Sequence, residues 1–472
     1  GVAGGWAAAG GSDGAGGTAT ADGLVVAEGL VAAEGSAAAD LVEMTRAQLA
    51  DPWLVALARA GRPERIRPCT LSNWHSAVRG SENLIISDDA EPATGYETSE
   101  PFGGAPAAPP RRALAEVLVV GGGPAGLEAA RAAALRGHRV LLVERGGALG
   151  GALRLAAALP GGERYGRLAD WLVAEVHRLA VRVRLGAEIG VAELDAAVAA
   201  GRRVLLCTGS RPRPPGFGVD SGVGAVVWPV AEFEAAVRMA GVVAAVRAGP
   251  EPGAHPGVAG SVGAVAGVGA GFGSRVAIGS GAAIGSGAAI GAGAAIGAGV
   301  GACVGAGVDP AGGSGAAVGS GVGSGDSMVL VNDPVGDSTG VRVAEQLAAA
   351  ELRVAVVTPD PVAGTQLGRT GELAAANGRL RRAGVAVEAF SRLVELADGV
   401  ATLVDVHTGT RRTLPCRLVV DCAARLPEDS LWTARPRLAR AGDCVAPRTV
   451  YEAVVEGRCW PRWGGLAAAE WE

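Results

Sequence analysis

Three glycines at a fixed spacing, Gly121, Gly123 and Gly126, offer the clearest chemistry in the chain. Gly121 permits a tight turn, Gly123 lets backbone approach a pyrophosphate, and Gly126 lets a helix pack closely against a strand. Pro124 and Ala125 lie between the last two, and a helix that begins there presents free N–H groups to phosphates. The pattern G-x-G-x-x-G therefore predicts a phosphate-binding turn.

The segments around this turn predict the elements that must hold it. Apolar runs at 117–120 and 140–143 indicate two strands, and the residues between them indicate a helix. Glu144 ends the second strand, where a carboxylate binds ribose hydroxyls in dinucleotide sites. Strand, turn, helix, strand and acid together predict a dinucleotide-binding fold. The alternative is the same fold with an empty site.

Composition excludes several classes of function. The net charge of −5 gives no electrostatic support to a nucleic-acid partner. All 42 basic residues are arginine, which excludes chemistry that needs a lysine. The seven cysteines are scattered, and no basic segment precedes an apolar run, so we expect a reduced, cytoplasmic chain without a signal peptide or membrane partner. A homo-oligomer stays open.

The N-terminal region reads as a series of short elements. Residues 1–20 are rich in small residues and predict no defined structure. The patterns predict a helix over 22–35, a strand over 39–44, and a helix from Asp51-Pro52 to near Ala60. Residues 100–112 are rich in Pro, Gly and Ala and predict a linker.

A segment of different composition, 240–326, interrupts the chain. It consists mainly of Gly, Ala, Val and Ser, and isoleucines recur every six residues at 278, 284, 290 and 296. Three interpretations stay open: a disordered low-complexity insertion, which we favour, a small coil of left-handed β-helix, and a membrane span.

Residues 38–68 resemble the last strand and helix of the flavin barrel in the old yellow enzyme family. The resemblance is closest to its multidomain branch: 2,4-dienoyl-CoA reductase, trimethylamine dehydrogenase and the oxidoreductases of mycofactocin gene clusters. It implies that Arg46 binds the phosphate of FMN; the alternative is an ordinary solvated or ion-paired arginine. Glu43 stands where the family has Gly, and a barrel takes about 250 residues. We therefore expect a chain truncated at its N-terminus, with most of the barrel missing and FMN binding in doubt.

The next segment resembles the family's cysteine motif for a [4Fe–4S] cluster. The spacing is kept at Cys69, Ser72, Ser76 and Asp88, but three of the four ligands are replaced. Iron–sulfur clusters are held by soft thiolates, and Ser and Asp offer hard oxygens. We therefore predict no metal here and a degenerate loop that serves as a connector.

The same resemblance turns the glycine motif into one end of an FAD site. It implies that Gly151 and Leu153 belong to a loop against the FAD pyrophosphate, and that Arg145 lies near the adenosine ribose. Thr208 and Gly209 correspond to a second flavoprotein signature, where backbone approaches the cofactor. The adjacent Cys207 is predicted to be a buried strand residue, because a reactive thiol needs exposure and an electropositive neighbour. Asp443 corresponds to an acid that accepts a hydrogen bond from the flavin ribityl chain.

A second strand–turn–helix–strand pattern begins at Ser327 and resembles the family's second nucleotide domain. A pyrophosphate bound there would face Asp333 and Asp337, which disfavour it. The second strand ends in Thr358-Pro359 without an acid for the ribose, so the motif does not support NAD(P)H binding, and both a filled and an empty site stay open. Short strands follow over 386–420, with a hairpin at His407.

The sequence thus predicts an α/β chain with two Rossmann-like domains, of FAD- and NAD(P)-binding type, preceded by a C-terminal remnant of a TIM barrel. We expect an FAD-dependent oxidoreductase module that passes electrons from NAD(P)H through flavin to a small-molecule substrate or acceptor, with no catalytic side chain identified. The alternatives are a stand-alone diaphorase and a non-catalytic remnant. The predicted segments are barrel remnant 1–66, cluster loop and linker 67–112, first FAD-domain segment 113–239, insertion 240–326, NAD(P)-type domain 327–430 and second FAD-domain segment 431–472.

Overall fold

The structure is a computed structural model, and its helices are mostly short and separated by strands. The described residues are 20–21, 24–25, 44–78, 85–98, 115–219, 226–231, 233–234, 237 and 328–463. The helices are α1 (Arg46–Ala50), α2 (Leu54–Arg59), α3 (Pro124–Leu135), α4 (Ala152–Ala158), α5 (Glu163–Arg178), α6 (Val191–Ala199), α7 (Ser338–Ala349), α8 (Leu373–Arg382), α9 (Ser430–Ala434) and α10 (Val450–Trp463). Turns of 3₁₀ or π type lie at Pro63–Arg65, Trp74–Val78, Thr365–Gly368 and Gly442–Cys444.

The strands are two or more residues long and build two main sheets. They are β1 (Thr20–Ala21), β2 (Leu24–Val25), β3 (Glu116–Val120), β4 (Arg139–Val143), β5 (Arg182–Arg184), β6 (Arg203–Leu206), β7 (Ser210–Arg211), β8 (Gly218–Val219), β9 (Val226–Pro229), β10 (Met328–Asn332), β11 (Val354–Val357), β12 (Ala386–Glu388), β13 (Ser391–Ala397), β14 (Val400–Asp405), β15 (Arg411–Asp421), β16 (Leu426–Pro427) and β17 (Ala439–Arg440).

The first sheet is parallel, in the order β17-β6-β3-β4-β5. Its central strand β3 is buried along Val117–Val120, as expected for a strand covered by helices on both faces. Helix α3 follows β3, and Gly457 of α10 lets the two helices lie close together: a Cβ on Gly457 would come within 2.3 Å of the Ala125 carbonyl oxygen. The strand–turn–helix–strand predicted for 117–144 is confirmed.

The second sheet combines parallel strands with an antiparallel meander. The strands β12-β11-β10-β15 are parallel, while β13, β14 and β15 run antiparallel, with a turn near His407 as predicted. β8 and β9 pair with β13 and β15, so this stretch, which lies inside the predicted segment 113–239, adds to the second sheet. The chain therefore has the predicted mixed α/β class.

Some predictions near the N-terminus are corrected or lie outside the described residues. Leu24–Val25 pairs with Thr20–Ala21 as antiparallel strands, so the helix predicted over 22–35 is wrong there. The dipeptide Asp22-Gly23 between them is typical of a two-residue hairpin, which competes with a helix. Most of 1–43, the linker 100–112 and the insertion 240–326 lie outside the described residues. Among the described helices, none has the length and apolar character to cross a membrane.

Candidate functional site

The predicted site residues meet at one edge of the first sheet. β17, β6 and β3 are neighbouring parallel strands, and their carboxyl ends point the same way. Gly121 follows β3, Thr208 and Gly209 follow β6, and Asp443 follows β17. Ligands of open α/β sheets bind at this edge. Three motifs that are far apart in the sequence therefore frame one site.

The turn after β3 is built so that only glycine fits at two positions. Gly121 has φ +109°, and a Cβ there would lie 2.1 Å from the Cys207 carbonyl oxygen. A Cβ on Gly126 would lie 1.9 Å from the Gly121 carbonyl oxygen. These contacts bring β3, β6 and α3 close together, as the spacing predicted.

Two other glycines face open space. Gly123 is the N-cap of α3, and a Cβ there would meet no atom within 4 Å. Gly209 has φ +77° and its Cβ position is equally open. Backbone N–H groups at the start of α3 adjoin this space, which suits a pyrophosphate. The open positions beside two strand ends fit the FAD that the motif predicts.

Glu144 holds the loops on either side of it. Its Oε2 accepts a hydrogen bond from the Gly122 N–H at 2.6 Å, and its Oε1 accepts one from the Gly146 N–H at 2.7 Å. Each carboxylate oxygen has a second lone pair, so a ribose hydroxyl can still bind. The carboxylate is thus fixed in place at the end of β4, where the sequence predicted it.

The loop after β4 lies against the glycine turn. The Gly150 N–H donates to the Gly122 carbonyl oxygen at 2.8 Å, and a Cβ on Gly151 would lie 2.9 Å from the Gly123 Cα. Leu153 is buried beneath this loop, whereas Arg145 is exposed at its start. The loop therefore borders the open space at Gly123, with the exposed Arg145 within the same loop.

Asp443 closes the other end of the site. Its Oδ2 accepts a hydrogen bond from the Ser210 hydroxyl at 3.1 Å, and its Oδ1 accepts one from the Arg448 N–H at 3.4 Å. Burial raises the pKa of Asp443, and the bond from Ser210 opposes that rise. Arg425 also binds Ser210, at 2.9 Å. The sequence prediction missed Ser210 and Arg425; the Thr208-Gly209-Ser210 signature was the available signal for the first.

The cysteines nearest this site are structural. Cys207 is buried, as predicted, and burial raises the pKa of its thiol well above the usual value. The Cys444 thiol is also buried and donates to the carbonyl oxygens of Leu206 and Ala441, at 3.3 and 3.2 Å. Neither thiol has the exposure that a reactive cysteine needs.

The four positions of the degenerate cluster motif surround one small cavity. It is lined by Arg46, Cys69, Thr70, Leu71, Ser72, Asn73, His75, Ser76, Asp88 and Asp89. Cys69 Sγ lies 3.7 Å from Asp88 Oδ2, and burial raises the pKa of Cys69 to about 12. The described residues contain no group of three or more His, Cys, Asp or Glu arranged to hold a metal. The donor set does not fit a cluster.

A hydrogen-bonded network occupies the loop instead. Asp89 accepts from the hydroxyls of Ser72 and Thr70, and its Oδ1 lies 2.5 Å from His75 Nδ1. His75 stacks on Tyr451 of α10, with ring centroids 4.0 Å apart. Sequence reasoning assigned no role to His75 and did not single out Asp89.

Arg46 lines the same cavity and contacts the loop that carries the degenerate cluster motif. Its guanidinium donates to Asn73 Oδ1 at 3.0 Å. Within the described residues of the chain, the only strands before Glu116 are the paired β1 and β2. The binding of an FMN phosphate by Arg46 therefore stays a prediction.

The second nucleotide-type turn differs from the first. Asp333 directly follows β10 and is fully buried, and Asp337 is the N-cap of α7. Thr358 follows β11 and is also buried. The two carboxylates thus lie where the sequence predicted them, beside the start of the helix.

Comparisons with known proteins agree with this site. Residues 116–185 match the family described as FAD dependent oxidoreductase. The chain is 38% identical over 191 residues to N,N-dimethylglycine/sarcosine dehydrogenase of Chromohalobacter salexigens, and 39% identical over 178 residues to NADH oxidase of Thermoanaerobacter brockii. Each alignment covers 38% of this chain and 26% of the relative, so the chain matches about a quarter of their length.

Histamine dehydrogenase from Rhizobium sp. 4-9 has a similar fold, with a TM-score of 0.64 over 90% of this chain and 55% of that one, at 22% identity. The family match covers the glycine turn, Glu144 and the loop after β4. The chain therefore carries an FAD-dependent oxidoreductase domain, and its homologues are the flavoprotein oxidoreductases of the old yellow enzyme, 2,4-dienoyl-CoA reductase and trimethylamine dehydrogenase branch.

Proposed function

We propose that this chain binds FAD and passes electrons from NAD(P)H through the flavin to a small-molecule substrate or acceptor. The observation that carries the proposal is the convergence of Gly121, Gly209 and Asp443 on adjacent ends of β3, β6 and β17. The return of the chain to the first sheet as β17 also supports the finer domain division, with an FAD domain made of two segments and a nucleotide-type domain between them. A barrel remnant before them is proposed from the resemblance of residues 38–68. The six described cysteines form no disulfide bond with one another, which suits the proposed cytoplasmic setting.

In this proposal the chain's own groups bind and orient the cofactor. The N–H groups at the start of α3 bind the pyrophosphate, Glu144 binds the adenosine ribose, and Asp443 accepts a hydrogen bond from the ribityl chain. Arg145, Gly151, Leu153 and Thr208 border the same space. FAD, when bound, supplies the hydride and electron chemistry. Ser210 keeps the Asp443 carboxylate in position.

Two other functions stay in view. A stand-alone diaphorase would reduce an external acceptor without any barrel chemistry. A non-catalytic remnant would at most bind a dinucleotide, and the poor donor set at Cys69, Ser72, Ser76 and Asp88 favours some loss of the relatives' chemistry.

A spectroscopic experiment separates these functions. The purified full chain is incubated with FAD, passed through gel filtration, and titrated with NADH without oxygen. Retained flavin absorbance that NADH bleaches, with reoxidation by an added quinone, supports the proposal. Retained flavin that NADH does not bleach favours the binding-only remnant. A chain that emerges without flavin overturns FAD binding itself.

A further inference from the structure

The two nucleotide-type turns share one packing feature, which allows a comparison position by position. The third residue of the helix is glycine in both, Gly126 in α3 and Gly340 in α7. A Cβ on Gly126 would lie 1.9 Å from the Gly121 carbonyl oxygen, and one on Gly340 would lie 2.6 Å from the Asp333 carboxyl carbon. Asp333 is thus the counterpart of Gly121: each residue directly follows its strand and contacts the glycine at the third position of the next helix.

The N-caps of the two helices differ in charge. Gly123 leaves the start of α3 open, since its Cβ position has no atom within 4 Å. Asp337 caps α7, and its Oδ1 accepts a hydrogen bond from the Thr339 N–H at 2.6 Å. The N–H groups at a helix start are those that bind phosphate oxygens in dinucleotide sites. In the second turn a carboxylate already occupies one of them.

Two further carboxylates lie within the same turn. Asp333 is 0% exposed; its Oδ1 accepts from the Gly336 N–H at 2.9 Å, and its Oδ2 has no hydrogen-bond partner among the described residues. That oxygen points at the start of α7, 2.7 Å from the Cβ position of Gly340. Asp360 Oδ2 lies 2.6 Å from the Cβ position of Gly336. Three acidic side chains therefore surround the place where a pyrophosphate would bind.

The ribose side of the second turn is also unlike the first. Glu144 follows β4 and places a carboxylate at the site, whereas the residue that follows β11 is Thr358, which has no carboxylate. Thr358 is fully buried, and its carbonyl oxygen accepts from the Ser391 N–H at 2.8 Å. No acid of the described residues takes the position that Glu144 has in the first turn, so the second turn offers the ribose no comparable acceptor.

We propose that Asp333, Asp337 and Asp360 act as an electrostatic barrier that keeps dinucleotide pyrophosphates from binding tightly at the second turn. NAD(P)H then binds there weakly, and this turn limits the supply of electrons to the flavin. The inference rests on the proposed function, because it concerns the donor of that reaction. Two anionic groups a few ångströms apart repel each other, and repulsion grows as water is excluded.

Equilibrium dialysis of the full chain with NADH at about pH 8, above the pKa of about 7 that burial gives Asp333, tests the barrier by binding alone. Wild type is compared with a triple variant, Asp333→Asn, Asp337→Gly and Asp360→Asn, and with the single variant Asp360→Asn. We expect the dissociation constant for NADH to fall about tenfold or more in the triple variant, and to fall partly in the single variant. The matched control Asp398→Asn removes one charge from an exposed turn and leaves NADH binding unchanged.

The outcomes separate this inference from the proposed function. FAD binding depends only on the first turn, so retention of FAD by all variants shows that they fold. Micromolar NADH binding by wild type, or equal binding by wild type and both turn variants, overturns the barrier. If the triple variant does not fold, Asp360→Asn alone decides, because Asp360 neither caps α7 nor is fully buried. Loss of FAD from wild type overturns the proposed function, and dialysis of that apo chain still tests the barrier.

Discussion

At the scale of single residues, the glycines of the first turn fall into two kinds. Gly121 and Gly126 are required by the fold, because a Cβ at either would overlap a carbonyl oxygen. Gly123 has φ −78°, which any residue adopts, and its Cβ position is empty. A side chain at Gly123 therefore costs the fold little. The need for glycine there comes instead from the proposed FAD pyrophosphate, which would occupy the space of the side chain.

This difference gives a test of the FAD site. Gly123→Ala is expected to leave the thermal unfolding midpoint unchanged and to weaken FAD binding at least about tenfold, or about 1.4 kcal/mol. The extra methyl group would stand between the backbone and the pyrophosphate. The measurement is FAD titration followed by flavin fluorescence. The control Gly216→Ala also fills open space without a positive φ, but outside the turn. Equal FAD affinity in Gly123→Ala and wild type would contradict the assigned site.

Asp333 gives a prediction for pH. Burial raises the pKa of Asp333 to about 7, and Asp337 and Asp360 add to that rise. An unfolded aspartate has a pKa of about 3.9, so the folded state holds the proton more tightly between these values. The contribution of this group to stability is therefore greatest below about pH 4 and falls as the pH rises toward about 7.

Asp333→Asn should remove this share of the pH dependence. Between about pH 5 and about pH 8, wild type is expected to lose on the order of 2 kcal/mol more of unfolding free energy than the variant. Urea unfolding at both pH values measures it. The acidic groups near Asp333, which are Asp337, Asp360 and the Cys422 thiol, are present in both proteins, so the difference between the two pH profiles isolates Asp333. Parallel pH profiles for the two proteins would show that Asp333 does not titrate in this range.

At the scale of elements, a buried ion network joins segments that are distant in the sequence. Glu128 of α3 is 0% exposed and accepts from Arg131 at 3.0 Å, from Arg458 of α10, and from Arg67 at 3.5 Å. Burial alone would raise the pKa of Glu128, but these guanidinium groups hold it well below its usual range. Glu91 binds Arg458 at 2.8 Å. The network fastens the cluster loop to the helices of the first sheet.

Glu128→Gln should destabilise the fold strongly. Removal of the charge leaves buried arginines without their partner, which costs about 3–5 kcal/mol. Chemical denaturation followed by circular dichroism gives the change. Arg435→Ala breaks an exposed ion pair with Asp195 and serves as the comparison, with no measurable change expected. Similar effects of the two substitutions would mean that the network is not a main fastener of the loop.

The elements of both turns were predictable, because each carries a local signal. Apolar runs marked β3, β4, β10 and β11, and the glycine spacing marked the turn before α3. The network around Glu128 was not predictable, since its members lie on three segments and an arginine-rich chain offers many partners for each acid. The pairing of His75 with Asp89 was not predictable either, because it depends on the conformation of the loop between them.

At the scale of the whole molecule, the chain passes from the first sheet to the second and back. It leaves β6, adds β8 and β9 to the second sheet, and returns to the first as β17. The two-segment first domain was predicted from the sequence, but no local pattern in strands as short as β8 indicates which sheet they join, so the pairing of β8 and β9 with the second sheet was not predicted. The consequence of this path is that the first sheet is formed by two separate segments, whereas all strands of the second lie between them in the sequence.

The segments that follow β6 and β15 contact each other and so connect the two sheets. β7 pairs with β16, the Glu428 N–H donates to the Gly209 carbonyl oxygen at 3.0 Å, and Arg425 binds the Ser210 carbonyl oxygen at 2.6 Å. Gly209 and Ser210 lie at the proposed FAD site. The described elements also fall within one compact unit, residues 1–257 and 326–472. We therefore expect the sheets to unfold together.

FAD should then stabilise both sheets, although it binds at the edge of the first. Ligand at a hundredfold excess over its dissociation constant adds about 2.7 kcal/mol to the free energy of unfolding. Differential scanning calorimetry with and without FAD is expected to show a single transition that moves up by several degrees as a whole. Two transitions, of which FAD moves only one, would contradict this coupling. Arg425→Ala provides the matched test, because loss of its bonds to Ser210 weakens the connection between the sheets and should broaden or split the transition.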